Sequence, residues 1–241
     1  MKPRTARPVA RLRQGRTDWY RIKAQAGTAE IAIYDEIGYF GVTAGDFLAE
    51  LKALDVRQID VRINSPGGDV WDGLAIYNSL RDHPAEITTY VDGLAASAAS
   101  IIVQAGSRRV AAKASELMIH EAWGLVVGNA SDMRDTAARL DQASGMIAGV
   151  YADRAGGTVD GWREAMRAES WYTGTEAADA GLVDEVAGST AAPSSNSWDL
   201  SIYSYAGRER SPAPVIQPQA DEFDVDAIVK AMEGAFACQP Q

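Results

Sequence analysis

A hydroxyl, an imidazole and a pair of glycines stand where three apolar stretches of the chain end. Ser97 closes Asp92-Gly-Leu-Ala-Ala and opens the small-residue run Ala98-Ala-Ser100. His120 follows Leu117-Met-Ile, and Gly67-Gly68 closes Ile63-Asn-Ser-Pro. A serine hydroxyl is a weak nucleophile until a base takes its proton, and histidine is the side chain suited to that task near neutral pH. A serine entering a helix of tiny residues faces free backbone N–H groups, which can stabilise an oxyanion. Consecutive glycines allow a close backbone approach that aims further N–H groups into a cleft. Each feature alone also has a plain structural reading: an ordinary tight turn, a close-packed Ala/Ser helix, a histidine that only packs. Together they make His120 the base for a Ser97 nucleophile. The other histidine, His83, lies in Arg81-Asp-His-Pro84, a polar helix end that reads as surface.

The elements that must position these residues alternate. Glu30–Tyr34 reads as a strand. A helix opened by Thr43, with Asp46 as its capping partner, carries Phe47, Leu48, Leu51 and Leu54 on one face. Gln58–Ile63 is a strand, the turn Ser65-Pro-Gly-Gly68 follows, and a helix runs from about Val70 to Arg81. Glu86–Val91 is a third strand and Ser97–Gln104 a buried helix of small residues. Arg109–Ala112 and Leu117–His120 are short strands. A long helix begins at Ser131, with Met133, Ala137, Leu140, Ser144, Ile147 and Tyr151 at helical spacing. This order predicts an α/β fold of stacked units joined by right-handed crossovers, with sites in loops after strand ends.

Composition narrows the options. The 241 residues, 46% of them apolar, suffice for one sizeable domain with arms. Residues 1–27 form a basic arm, 28–187 the folded domain, and 188–241 a Ser/Pro-rich linker and tail. That tail is extended around 211–220, with a short amphipathic helix over Phe223–Phe236. A net charge of −10 argues against nucleic acid as the main partner. No apolar run is long enough to span a bilayer, and no apolar segment of a secretory signal follows the basic start. The single cysteine, Cys238, excludes an intramolecular disulfide and fits a reducing compartment. With only His83, His120 and Cys238 as nitrogen or sulfur ligands, neither a metal nor a cofactor is expected.

The motifs Ile63-Asn-Ser-Pro-Gly-Gly68, Gly93-Leu-Ala-Ala-Ser97-Ala98, Met118-Ile-His120 and Glu176-Ala-Ala-Asp-Ala-Gly-Leu-Val-Asp184 closely resemble, in order and spacing, the proteolytic subunit of Clp protease. The resemblance covers about Ile31 to Val186. It implies the ClpP/crotonase fold of stacked ββα units with flexible N- and C-terminal arms. It also implies a serine endopeptidase with Ser97 as nucleophile, His120 as base and then acid, and the N–H groups of Gly68 and Ala98 as oxyanion hole. The family's third catalytic residue is an aspartate. Here Glu169 matches it, a departure that requires the backbone to sit farther from the imidazole. The stretch Gly67–Asn78 and the Ala-Glu-Ser-Trp171 variant are similar to phage head-maturation (prohead) proteases related to ClpP. That likeness implies an ATP-independent enzyme acting on phage capsid or scaffold protein in the host cytoplasm, inside the assembling prohead. The family also implies a ring-shaped homo-oligomer, a heptamer or tetradecamer, with contacts along Ser131–Arg154 and around Gly124–Gly128.

Four alternatives stand beside this reading: a housekeeping-type Clp proteolytic subunit, a crotonase-like acyl-CoA enzyme, a Ser-Lys peptidase using Lys113, and an inactive structural shell component.

Overall fold

The computed structural model describes residues 20–25, 27–38, 44–188 and 198–216. Strands β1 (Tyr20–Gln25) and β2 (Thr28–Ile33) form a hairpin, and the chain then alternates. Helix α1 (Ala44–Lys52) leads to β3 (Gln58–Ser65), α2 (Val70–Asp82) to β4 (Glu86–Ala96), and α3 (Ala98–Val103) to β5 (Arg108–Ala112). Next come β6 (Glu116–Ile119), α4 (Ala130–Ala155), α5 (Val159–Arg167), β7 (Ser170–Thr173), α6 (Gly174–Asp179) and β8 (Glu185–Ala187).

The sheet runs β1-β2-β3-β4-β5-β8, parallel from β2 onward. β4 is shared lengthwise: Thr88–Val91 pair with β5, whereas Leu94–Ala96 pair with β6. β6 in turn pairs antiparallel with β7. This branching sends the C-terminal half of β4 and the end of β6 side by side, toward Ser97 and His120.

Alternation drives the assembly. Ile31, Ile33, Ile59, Val61 and Ile63 expose nothing, and each such burial contributes roughly 1.5–3 kcal/mol. Phe47, Leu51, Ile76 and Leu80 close one layer of helices over them, and Ile147, Tyr151 and Trp162 lie in the same core. Asp69 starts α2 by accepting the N–H groups of Trp71 and Asp72, and Asn129 and Asp132 cap α4 reciprocally.

Several expectations need correction. Tyr20–Gln25, assigned to the basic arm, is an edge strand registered against β2. β4 does not stop at Val91. Asp92-Gly93 resembles a turn, but the Asp92 carboxylate binds Arg62 and the Tyr34 hydroxyl, and the Leu94 N–H donates to Asn64 Oδ1 at 3.0 Å. Those partners, together with the pairing to β6, keep the backbone extended as far as Ala96. The helical stripe of α4 is half used: Met133 is 49% exposed, and burial begins only at Ala143. The tail is not a free arm throughout, because residues 198–216 pack against β6 and β7. Leu94, Ala96, Met118, Trp171 and Tyr203 form a second small apolar cluster there. Thr43, Cys238, the helix expected over 223–236 and the first 19 residues lie outside the described residues. Among the described residues no helix is long and apolar enough to cross a membrane.

Candidate active site

Ser97 stands between β4 and α3 with φ 56° and ψ −125°. A non-glycine residue held there costs about 1–3 kcal/mol, which the surroundings must offset. They do so by several bonds. The Ser97 N–H donates to the Met118 carbonyl at 2.9 Å, tying the corner to β6. The Ser97 carbonyl accepts from the Ser100 N–H at 3.0 Å and from the Ser100 hydroxyl at 2.6 Å. The Ser100 hydroxyl also meets that of Tyr151 on α4 at 2.8 Å, so the long helix braces the corner. A sharp strand-to-helix corner of this kind presents a serine hydroxyl at the top of the sheet.

His120 follows β6 directly. Its Nε2 lies 2.7 Å from Ser97 Oγ, a hydrogen bond across 23 residues. Both residues are part-exposed, so the pair is open to substrate. Lys113 instead is exposed in the turn before β6, at the opposite end of that strand from His120. The serine meets an imidazole, not an amine.

The glycine turn is pressed against this corner. Gly67 has φ +95°, and a Cβ there would come within 2.6 Å of Ser97 Cβ and 3.1 Å of the Ala98 nitrogen. Gly68 has φ +148°, and a Cβ there would stand 1.9 Å from the Ile37 carbonyl oxygen. Ser65 fixes the turn by donating to the Asp35 carbonyl at 2.6 Å and accepting the Gly67 N–H at 3.2 Å. Gly67 is therefore pressed against Ser97 and the Ala98 nitrogen from a separate segment, and Gly68 against Ile37.

Glu169 sits between α5 and β7, 8% exposed, with φ 53°. Its carboxylate accepts the Ser204 N–H at 2.8 Å and the Tyr205 N–H at 3.0 Å, with the Trp171 indole N–H at 3.5 Å. Two residues in left-handed backbone geometry, Ser97 and Glu169, thus occur at two positions singled out from sequence.

One contributor was not anticipated. The Tyr203 ring meets the His120 ring edge-on at a centroid distance of 5.3 Å, and its hydroxyl donates to the Pro66 carbonyl at 2.5 Å. Burial pushes its phenol pKa up, countered in part by a hydrogen bond with Ser97. The cue was present in the aromatic content of the tail: Trp198, Tyr203 and Tyr205 follow a Ser-rich stretch that has no reason to carry them.

Comparison with known proteins agrees with this geometry. The Clp protease family profile matches residues 15–190. The ATP-dependent Clp protease proteolytic subunit of Bacteroides fragilis is 36% identical over 151 residues, spanning 60% of this chain and 72% of that protein. Proteolytic subunit 2 of Corynebacterium glutamicum is 34% identical over 142 residues, 58% of this chain and 71% of that protein. The Ligilactobacillus salivarius subunit is 33% identical over 149 residues, 59% and 76% of the two chains. With a parallel sheet that brings serine, imidazole and a glycine turn together, the chain belongs to the Clp protease family and is a serine peptidase.

Proposed function

We propose that this protein is a Clp-type serine endopeptidase in which Ser97 is the nucleophile and His120 the general base. The observation that carries this reading is the 2.7 Å contact between Ser97 Oγ and His120 Nε2 beside the Gly67-Gly68 turn. Ser97 Oγ attacks the scissile carbonyl while Nε2 takes the hydroxyl proton. The N–H groups of Gly68 and Ala98 hold the developing oxyanion, and the imidazolium then protonates the leaving amine. Water, deprotonated by the same nitrogen, hydrolyses the acyl-enzyme. Glu169 orients the imidazole. Its two carboxylate oxygens are held in place by the Ser204 and Tyr205 N–H groups.

An open groove of about 520 Å³ is lined by Val70 and Trp71 of α2 and by Thr136, Leu140 and Ala143 of α4, with neither Ser97 nor His120 in its wall. Self-association through α4 is supported by its unburied first half and by the exposed Trp123, Leu125 and Val127 leading into it. Apolar surface of this extent is a signature of a contact face, and a homo-oligomeric ring fits it.

Two readings of the biological role differ in how substrate arrives. The names of the relatives support a proteolytic subunit served by an ATPase. The ATP-independent head-maturation role rests on the likeness of the Glu169-Ser-Trp171 variant and of Gly67–Asn78 to that group of proteases. Incubation with a short fluorogenic peptide, a folded protein and a candidate capsid protein separates them. Hydrolysis of the peptide alone, with the folded protein cut only when an unfolding ATPase is added, favours the first. Cleavage of capsid protein at one defined position without nucleotide favours the second. Failure to cut any of the three contradicts the peptidase assignment of the site.

A further inference from the structure

We infer that the segment 198–215, outside the region matched by the family, is a working part of the catalytic site, with Tyr203 as its positioning residue. The inference rests on the assignment of Ser97, His120 and Glu169 above. Within three consecutive residues the segment touches His120, the residue that leads into the glycine turn, and Glu169. Tyr203 sets its ring against His120 and its hydroxyl on the Pro66 carbonyl, which leads into the glycine turn. Ser204 and Tyr205 donate their backbone N–H groups to the two oxygens of Glu169.

The segment is anchored away from the chemistry. Arg208 binds Glu176 through two bonds of 2.7 and 2.6 Å, its N–H meets Glu116 at 3.1 Å, and the Val215 carbonyl accepts from Tyr172 at 3.1 Å. Tyr203 also packs edge-on to Trp171 at 6.1 Å within the second apolar cluster.

A segment lying over the site could instead be a plug, and the two differ in a measurable sign: removing a plugging ring would speed reaction at Ser97, whereas removing a brace slows it. Tyr203 is 9% exposed, and Ser97 and His120 stay part-exposed with the segment docked. The longer Glu169 side chain fits the same picture, because its carboxylate is located by two backbone donors that the segment supplies.

The test uses the full chain and its Tyr203→Ala, Tyr203→Phe and Arg208→Ala variants. The readout is the rate at which a fluorophosphonate labels Ser97 across pH from about 5 to 9. Tyr203→Ala and Arg208→Ala should slow labelling about tenfold or more at the plateau, since small misplacements of catalytic groups are costly. Both should also move the acid limb to lower pH, because an imidazolium beside a displaced carboxylate is less stabilised. Tyr203→Phe, which keeps the ring, should recover most of the rate and the original limb, remaining a few-fold slow from loss of the bond to Pro66. Alanine variants that label as fast as the parent or faster, with an unmoved limb, overturn the inference. If the alanine variants fail to fold, Tyr203→Phe decides: slower labelling supports it, and an equal or faster rate overturns it. A parent protein that takes no label at Ser97 removes the catalytic assignment itself, and the inference with it.

Discussion

The backbone of Gly67 lies so close to Ser97 that a Cβ on the glycine would stand 2.6 Å from the serine Cβ and 2.6 Å from the Ala96 carbonyl oxygen. The glycine turn and the serine corner are thus one packed unit, and neither can shift without the other. Gly67 also has φ +95°, a conformation that L side chains rarely adopt. Gly67→Ala should lower stability by about 2–3 kcal/mol, readable as a fall in the urea midpoint. It should also cut peptide hydrolysis by about a hundredfold or more, since the oxyanion donors move with the turn.

The Ser97 carbonyl, the Ser100 hydroxyl and the Tyr151 hydroxyl form a chain that reaches from the corner to α4. Tyr151→Phe removes the last link and leaves the core volume intact. It should cost about 1 kcal/mol in stability and lower kcat more than KM. An unchanged kcat would show that Ser100 alone holds the corner.

Arg109 is buried and satisfied by Asp184, Gln104 and its neighbours across β5. Burial raises the Asp184 pKa, but the hydrogen bonds from Arg109 outweigh it and hold the carboxyl below its usual range. Asp184→Ala would leave the guanidinium buried with half its partners gone. A loss of about 3 kcal/mol in chemical denaturation is expected, and Asp184→Asn should lose less because it still accepts a bond.

Glu176 joins the tail to the body of the protein. Its hydrogen bonds from Arg208, followed by those from Thr173, lower its pKa from the ordinary 4.5 to about 2. A depressed carboxylate contributes stability that is complete above the ordinary value and is lost as pH falls through the folded one. Thermal stability should therefore hold down to about pH 4.5 and decline from there toward 2. Glu176→Gln should start lower and show a shallower decline over that window. A parallel decline in both proteins would place the acid sensitivity elsewhere.

Much of this was legible before any coordinates. Alternation over Gln58–Ile63 identified β3, because burial of one face imposes a period of two. Ser97 and His120 stood out because a hydroxyl and an imidazole each ended an apolar run. What escaped notice depended on distant partners. Asp92-Gly93 has the local chemistry of a turn, and only the pairing of Asp92 with Arg62 and of Leu94 with Glu116 keeps it in β4. Tyr20–Gln25 does alternate apolar and polar residues, but its basic charges read as part of an arm, and its registry comes from β2. Tyr203 lies 83 positions beyond His120 in chain order (203 − 120), so nothing local could tie its ring to that imidazole.

The most direct test of the account is intact-mass analysis after fluorophosphonate treatment of the parent, Ser97→Ala and His120→Ala proteins. One adduct per chain, mapped to Ser97, absent from Ser97→Ala and slowed about a hundredfold or more in His120→Ala, is the expected result. A Ser97→Ala protein that still takes the label and cleaves peptide at the parent rate would contradict it.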